Sequence, residues 1–225
     1  MKRVLLTGGS GFIGKQCLSL LVAKGYEVHA LARKLPAWTA APTGASEVFW
    51  HELDLLYPGG PTEAIKRIAP EYLLHLAWYA VPGKFWDAPE NREWVRASLE
   101  LFDAFRARGG ERLVAAGSCA EYASRAGECS EDRTPLAPTA LYGCSKHELQ
   151  QKLDAWSKQV GVSAAWGRIF HLYGPHEDPS RLVAYAIRSL LRSPGSILSF
   201  ASGSAIKRIT AGVKAAADRR CQVSI

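Results

Sequence analysis

The sequence predicts an α/β protein built on a doubly wound parallel sheet. Two observations carry that expectation. Short apolar runs alternate with helix-like segments along most of the chain, and a glycine-rich turn joins the first run to the first helix. With 225 residues, 48% of them hydrophobic, the chain can form one sizeable core and a small second lobe. Taken in order, "RVLLT" (3–7) reads as a buried strand, followed by a helix from 11 to about 24 that stops at Gly25. "EVHALA" (27–32) is a second strand. "SEVFWHELD" (46–54) ends a third, after a loop with Pro36, Pro42 and Gly44. "PTEAIKRIA" is a short helix and "EYLLHLAW" (71–78) a fourth strand. A long amphipathic helix from 89 to about 108 sets Trp94, Val95, Leu99, Leu101, Phe102 and Phe105 along one side. "RLVAAGS" (112–118) is the fifth strand, a helix carrying Tyr142 and Lys146 extends to about 160, and "VSAAWGRIF" (162–170) is the sixth strand. No internal repeat interrupts this order.

Composition excludes several classes. No apolar run approaches the roughly 18 residues of a membrane span. The opening "MKRVLLTGGSGFIG" imitates a secretory leader only from Val4 to Leu6 before glycines break it. Cys17, Cys119, Cys129, Cys144 and Cys221 show no metal-ligand spacing, and their odd number fits reduced thiols in a cytoplasm. No metal site is expected. The net charge of +7 is uneven, since the stretch after Arg192 holds Lys207, Arg208, Lys214, Arg219 and Arg220 against Asp218. A basic tail suits nucleic acid or an anionic surface. Without a zinc finger, an aromatic RNA-binding motif or a dense basic run, neither partner is expected.

"TGGSGFIG" (7–14) follows a strand and opens a helix, with Gly8, Gly11 and Gly14 in one spacing and Gly9, Gly11 and Gly14 in another. Glycines there let the backbone turn tightly and approach a pyrophosphate, while Phe12 and Ile13 open a helix whose N-terminus faces the anion. The pattern in this context predicts dinucleotide binding. An NAD site usually places Asp or Glu at the end of the second strand, but here the chain reads Leu31-Ala32-Arg33-Lys34. Arg33, with Lys34, suits the ribose phosphate of NADP, so NADP is preferred over NAD; the bland alternative is two surface cations.

Taken together, "TGGSGFIG", "HLAW" (75–78), "GSCAEY" (117–122), "YGCSK" (142–146) and "RIFHLYGP" (168–175) resemble the extended short-chain dehydrogenase/reductase family, with its nucleotide-sugar epimerases, dehydratases and ketoreductases. The resemblance covers residues 3 to about 192. It implies an NAD(P)-binding Rossmann domain over 1–170, and a partial substrate lobe with an atypical basic tail over 171–225. It implies that Asp54 and Leu55 contact the adenine, and that Leu76 and Ala77 line the cofactor. Ser118, Tyr142 and Lys146 would be catalytic. An ordinary tyrosine, with pKa near 10, is the wrong acid-base for neutral pH. An ammonium one helical turn away favours the phenolate, so Lys146 is expected to lower the Tyr142 pKa. Lys146 would also hold the nicotinamide ribose, and Ser118 the reacting oxygen.

Within the family, 4,6-dehydratases carry Asp-Glu directly after the catalytic hydroxyl. Cys119 and Ala120 stand there, which disfavours dehydration. In related 3,5-epimerases an acid-base cysteine stands one position later than Cys119, and a packed thiol is the expectation here. Glu121 is expected to bond locally, outside catalysis. His171 replaces the family's usual asparagine near the substrate diphosphate, either as a phosphate donor or titrating group or as a buried, hydrogen-bonded histidine. Trp78, Lys84 and Trp86 follow the fourth strand, where they either meet a nucleotide sugar or pack beneath a lid.

Family members usually continue well beyond this length, and their Arg-Asp-Phe-like stretch is not found after Arg192. The expectation is a truncated chain, a frame-shifted tail from about Ser193 being one way to produce it. Cofactor binding would then survive while turnover is weak or absent. The functional expectation is an NAD(P)-dependent nucleotide-sugar epimerase or 4-ketoreductase, cytoplasmic, with homodimerisation through the long helices implied by the family. The alternative is a non-catalytic dinucleotide-binding protein on the same fold.

Overall fold

The computed structural model describes residues 1–35, 37–40, 48–123 and 128–192. The Pro36 and 41–47 loop positions, Cys221 and the whole stretch from Ser193 lie outside the described residues. The chain divides into two units, Met1–Leu172 and Tyr173–Ile225.

In the first unit, β1 (Arg3–Thr7), β2 (Glu27–Ala32), β3 (Val48–Glu52), β4 (Tyr72–His75), β5 (Arg112–Ser118) and β6 (Ser163–Ile169) form one sheet in the order β3-β2-β1-β4-β5-β6. Every neighbouring pair is parallel. This is the doubly wound order, in which the strand sequence reverses between β1 and β4 and puts the ligand crevice at the carboxyl ends of those two strands. The helices of this unit are α1 (Phe12–Ala23), α2 (Gly60–Ile68), α3 (Glu90–Ala107) and α4 (Leu141–Val160).

Side chains alternate across β1, so Val4 and Leu6 meet Leu18 of α1 with Val28 and Ala30, while Leu5 joins the opposite core. That larger core gathers Leu31, Leu73 and Leu113 from the sheet with Ile65, Phe102, Phe105 and Leu149 from α2, α3 and α4. α3 buries the apolar side read from its sequence, Leu99 being only partly covered.

Strand β4 is shorter than the predicted 71–78, because the Leu76 and Ala77 N–H groups both turn to the Thr7 hydroxyl at 3.2 Å. Among the described residues no helix is long and apolar enough to cross a membrane. In the second unit, α5 (Leu182–Arg192) follows a turn in which Asp178 accepts from the Ser180 N–H at 2.8 Å.

Candidate active site

The glycine turn is shaped by close backbone contacts. Gly8 has φ +72°, in the left-handed region, and a Cβ on it would sit 2.9 Å from the Ala77 nitrogen. A Cβ on Gly14 would fall on the Gly8 carbonyl oxygen, and the Gly11 N–H closes the turn onto that same oxygen at 3.0 Å. Gly11 is the N-cap of α1 and brings no side-chain cap, so Phe12 and Ile13 begin a helix whose first-turn donors suit an anion.

Beneath this turn lies a satisfied polar chain. The Ser98 hydroxyl donates to the Trp94 carbonyl at 2.6 Å, so its oxygen accepts from His75 Nε2 at 2.9 Å. His75 Nδ1 is then the acceptor, taking the Thr7 hydroxyl proton at 2.8 Å. Thr7 thereby presents its oxygen to the Leu76 and Ala77 N–H groups. Burial, aided by the Lys146 charge, lowers the His75 pKa to about 3, so the ring is neutral at ordinary pH. Thr7 and His75 open two of the motifs read from the sequence, but sequence reasoning assigns no role to them or to Ser98.

Past the end of β2, Ser10, Arg33, Lys34 and Asp54 line an open cleft of about 380 Å³. Arg33 is exposed there, while Glu27, at the far end of β2, is tied to Arg3 at 2.9 Å and His29 at 2.8 Å. The Leu55 side chain is buried in the core, so only its main chain can meet a ligand. Leu76 and Ala77 cross directly over Gly8.

The predicted catalytic residues converge at the ends of β5 and α4. Ser118 closes β5 and caps a short 3₁₀ turn, Cys119–Glu121: its hydroxyl accepts from the Ala120 N–H at 3.1 Å. In return, Glu121 accepts from the Ser118 N–H at 2.7 Å. Glu121 is wholly buried and also accepts from Trp166 Nε1 at 3.1 Å and Arg168 Nε at 2.8 Å. The expected local bond is present, but the carboxylate also reaches across to β6, linking the Ser118 backbone to Trp166 and Arg168. A Cβ on Gly143 would fall on the Ala120 carbonyl oxygen, so a glycine after Tyr142 lets α4 lie against this turn.

Tyr142 stands in the first turn of α4, part-buried and beside Ser118. Burial raises its pKa above the ordinary tyrosine value, and the neighbouring Ser118 hydroxyl opposes that only in part. This reverses the expected direction. The reason is where Lys146 points: its buried Nζ donates to the Ala116 carbonyl at 2.8 Å and lies 3.6 Å from the Trp78 ring centroid. Burial lowers the Lys146 pKa to about 7, with the Glu121 charge opposing. Cys119 is half-buried beside Ser118, and burial raises its thiol pKa, as a packed thiol requires.

The four residues proposed from sequence to meet a substrate are placed differently from one another. Trp78 is part-buried, its Nε1 donating to Asn91 Oδ1 at 2.8 Å and its ring stacked on Trp94 at 6.0 Å. Its face is given to Lys146, which leaves it packed as the underside of the loop. Lys84 is exposed on a turn closed by its own N–H to the Val81 carbonyl at 3.0 Å. His171 is exposed, which sets aside the buried-histidine reading. Trp86, 46% exposed, has its ring centroid 6.0 Å from that of Tyr142. Among the described residues no group of three or more acidic, histidine or cysteine side chains is placed to hold a metal ion.

Residues 4–208 match the family described as the NAD dependent epimerase/dehydratase family. The chain belongs to this family. It is 24% identical over 181 residues to a UDP-glucose 4-epimerase of Corynebacterium glutamicum, covering 77% of this chain and 52% of that protein. It is 25% identical over 211 residues to a GDP-mannose 4,6-dehydratase of Yersinia enterocolitica, covering 88% and 56%. Among solved structures, the UDP-glucose 4-epimerase of Thermus thermophilus in complex with NAD superposes with a TM-score of 0.68 at 26% identity, covering 84% of this chain and 63% of that one. The chain thus spans about half the length of the curated relatives it matches. For a family member, the glycine turn fits a dinucleotide on its own geometry: a positive φ at Gly8, no room for a Cβ at Gly8 or Gly14, and an uncapped α1 N-terminus.

Proposed function

We propose that this chain is an NAD(P)-dependent nucleotide-sugar epimerase or 4-ketoreductase, acting by hydride transfer at a sugar carbon. The observation that carries the reading is Tyr142 beside Ser118, one helical turn from buried Lys146, at the carboxyl end of a sheet with a dinucleotide-type glycine turn. Phe12, Ile13 and the glycines would hold the pyrophosphate, Leu76 and Ala77 would line it, and the Asp54–Leu55 main chain would border the adenine. Arg33 and Lys34 would hold a ribose phosphate, and the lack of a carboxylate at the end of β2 supports NADP.

When bound, the nicotinamide supplies the hydride donor or acceptor, and its oxidised ring carries a positive charge. Every proton movement falls to the protein. In the free chain the phenol of Tyr142 holds its proton, because burial raises its pKa. In the reductive direction Tyr142 gives that proton to the sugar oxygen, and in the oxidative direction its phenolate takes one from the sugar hydroxyl. Ser118 donates to the oxygen that carries negative charge at each stage. Glu121 holds the Ser118 backbone in place, and the Trp78 and Trp166 rings beside Lys146 exclude water.

The test is turnover of uridine and guanosine diphosphate sugars with NAD and NADPH, read by chromatography of the sugar products, with Tyr142→Phe as control. Product in the wild-type chain and none in the variant supports the reading. Saturable dinucleotide fluorescence with no turnover of any nucleotide sugar overturns it in favour of the non-catalytic alternative, which the engagement of Lys146 by Ala116 and Trp78 favours.

A further inference from the structure

Under the loop that follows β4 lies a buried amide to which the proposed reaction assigns no role. Asn91, in the first turn of α3, has no exposed surface. Its Oδ1 accepts from Trp78 Nε1 at 2.8 Å, and its Nδ2 donates to the Phe85 carbonyl at 2.7 Å and the Ala88 carbonyl at 2.9 Å. Chemistry alone fixes this orientation. An indole nitrogen only donates and a carbonyl only accepts, so the amide cannot be turned over, and a carboxylate would set an oxygen against two carbonyls. Asn91 therefore ties the residue after the "HLA" turn to the loop that follows it.

Each end of that tie touches one member of the Tyr-Lys pair. Trp78 lies under the Lys146 ammonium at 3.6 Å. The Phe85 ring meets the Tyr142 ring edge-on, centroids 4.8 Å apart. The next residues supply acceptors to α4, whose own N-cap, Ala140, has no capping side chain. The Trp86 carbonyl takes the Tyr142 N–H at 2.8 Å, and Asp87 Oδ1 takes the Leu141 N–H at 3.2 Å.

We infer that Asn91 is a positioning residue for the Tyr142–Lys146 pair, acting on Lys146 through Trp78 and on Tyr142 through the 85–88 segment. The inference rests on the reading of that pair as catalytic. Asn91 touches neither group, and its action is to hold both of their supports to one point on α3.

The experiment measures Lys146 directly. Competitive acetylation with acetic anhydride across pH, followed by mass spectrometry, gives the titration midpoint and relative reactivity of Lys146 without any substrate. It is run on the full chain, on Asn91→Leu, on Trp78→Phe and on the double variant. Asn91→Leu keeps the volume and removes all three hydrogen bonds, so Trp78 is free to leave the ammonium and water enters. Because burial is what depresses Lys146, its midpoint is expected to rise by about one pH unit with reactivity up about tenfold. Trp78→Phe keeps the ring face and loses only the tether, so it moves Lys146 in the same direction by less. The double variant matches Asn91→Leu alone, because both act along one arm. A Lys146 midpoint and reactivity unchanged in both single variants, with only the melting temperature lowered, overturns the inference and makes Asn91 a loop anchor. If Asn91→Leu does not fold, Trp78→Phe decides by itself. A wild-type chain that turns over no nucleotide sugar counts against the reaction proposed above, while the labelling still decides separately whether Asn91 governs Lys146.

Discussion

The two ends of the crevice are built in opposite ways. At the glycine-turn end the shape comes from main chain against main chain, with Gly8 over Leu76–Ala77 and Gly14 against the Gly8 carbonyl. At the hydroxyl end it comes from side chains that travel far along the sequence: Glu121 reaches Trp166 and Arg168, Lys146 reaches Ala116, and Asn91 reaches Trp78. A site made of backbone fails when a side chain is added. A site made of side chains fails when one is removed.

The sharpest way to separate the two ends is Tyr142→Phe. Loss of the hydroxyl proposed to transfer the proton is expected to cut turnover by roughly 10²–10⁴-fold. Dinucleotide affinity, read by nicotinamide fluorescence, stays within about twofold if the glycine turn is independent of the pair; a parallel loss of binding would merge the two ends into one site. His75, between them, adds a pH dependence. Its folded pKa of about 3 lies below the ordinary value of 6.5, so between these the unfolded chain binds the extra proton. This contribution to stability is present above pH 6.5 and is lost as pH falls toward 3, by roughly 1.4 kcal/mol per unit. Urea midpoints measured from pH 7 to 4 should show a slope that flattens in His75→Gln.

Glu121→Gln removes the charge facing part-buried Arg168 and is expected to cost about 3 kcal/mol, seen as a lower melting temperature. Gly14→Ala should cost about 1–3 kcal/mol and weaken dinucleotide binding by more than about tenfold, because its methyl group must displace the turn. If Gly14→Ala binds normally, the backbone account of that end is wrong. The smallest effect belongs to Arg33→Ala, expected to reduce any preference for NADPH over NADH by about tenfold while leaving NADH binding unchanged. An unchanged preference would make Arg33 a surface cation.

The same contrast explains what can be read from residues alone. β1, β2 and β5 have the ends their apolar runs predict, and the glycine turn is legible because a tight approach needs glycines at fixed local spacing. β4 stops three residues before the predicted end because the Thr7 hydroxyl takes two of its N–H groups, an exchange between residues 69 and 70 positions apart. The direction of the Tyr142 pKa escapes the sequence for a similar reason. Helical spacing places Lys146 one turn away, but it does not reveal that a tryptophan face and a β5 carbonyl will hold the ammonium. Asn91 gives no signal, since one asparagine among the charges at a helix start looks like solvated surface.

The borrowed acceptors at the start of α4 bear on how the molecule opens. Leu141 and Tyr142 hand their amide protons to Asp87 and Trp86, so this first helical turn and the 85–88 segment should come apart as one cooperative unit, while the body of α4 stays closed. Amide hydrogen exchange is expected to show Leu141 and Tyr142 exchanging at the rate of the 85–88 segment, faster than Leu149 or Leu153 in the buried middle of the helix. A ligand that quiets this loop would then slow exchange at Tyr142 as well, the ordering of both segments being settled in a single event.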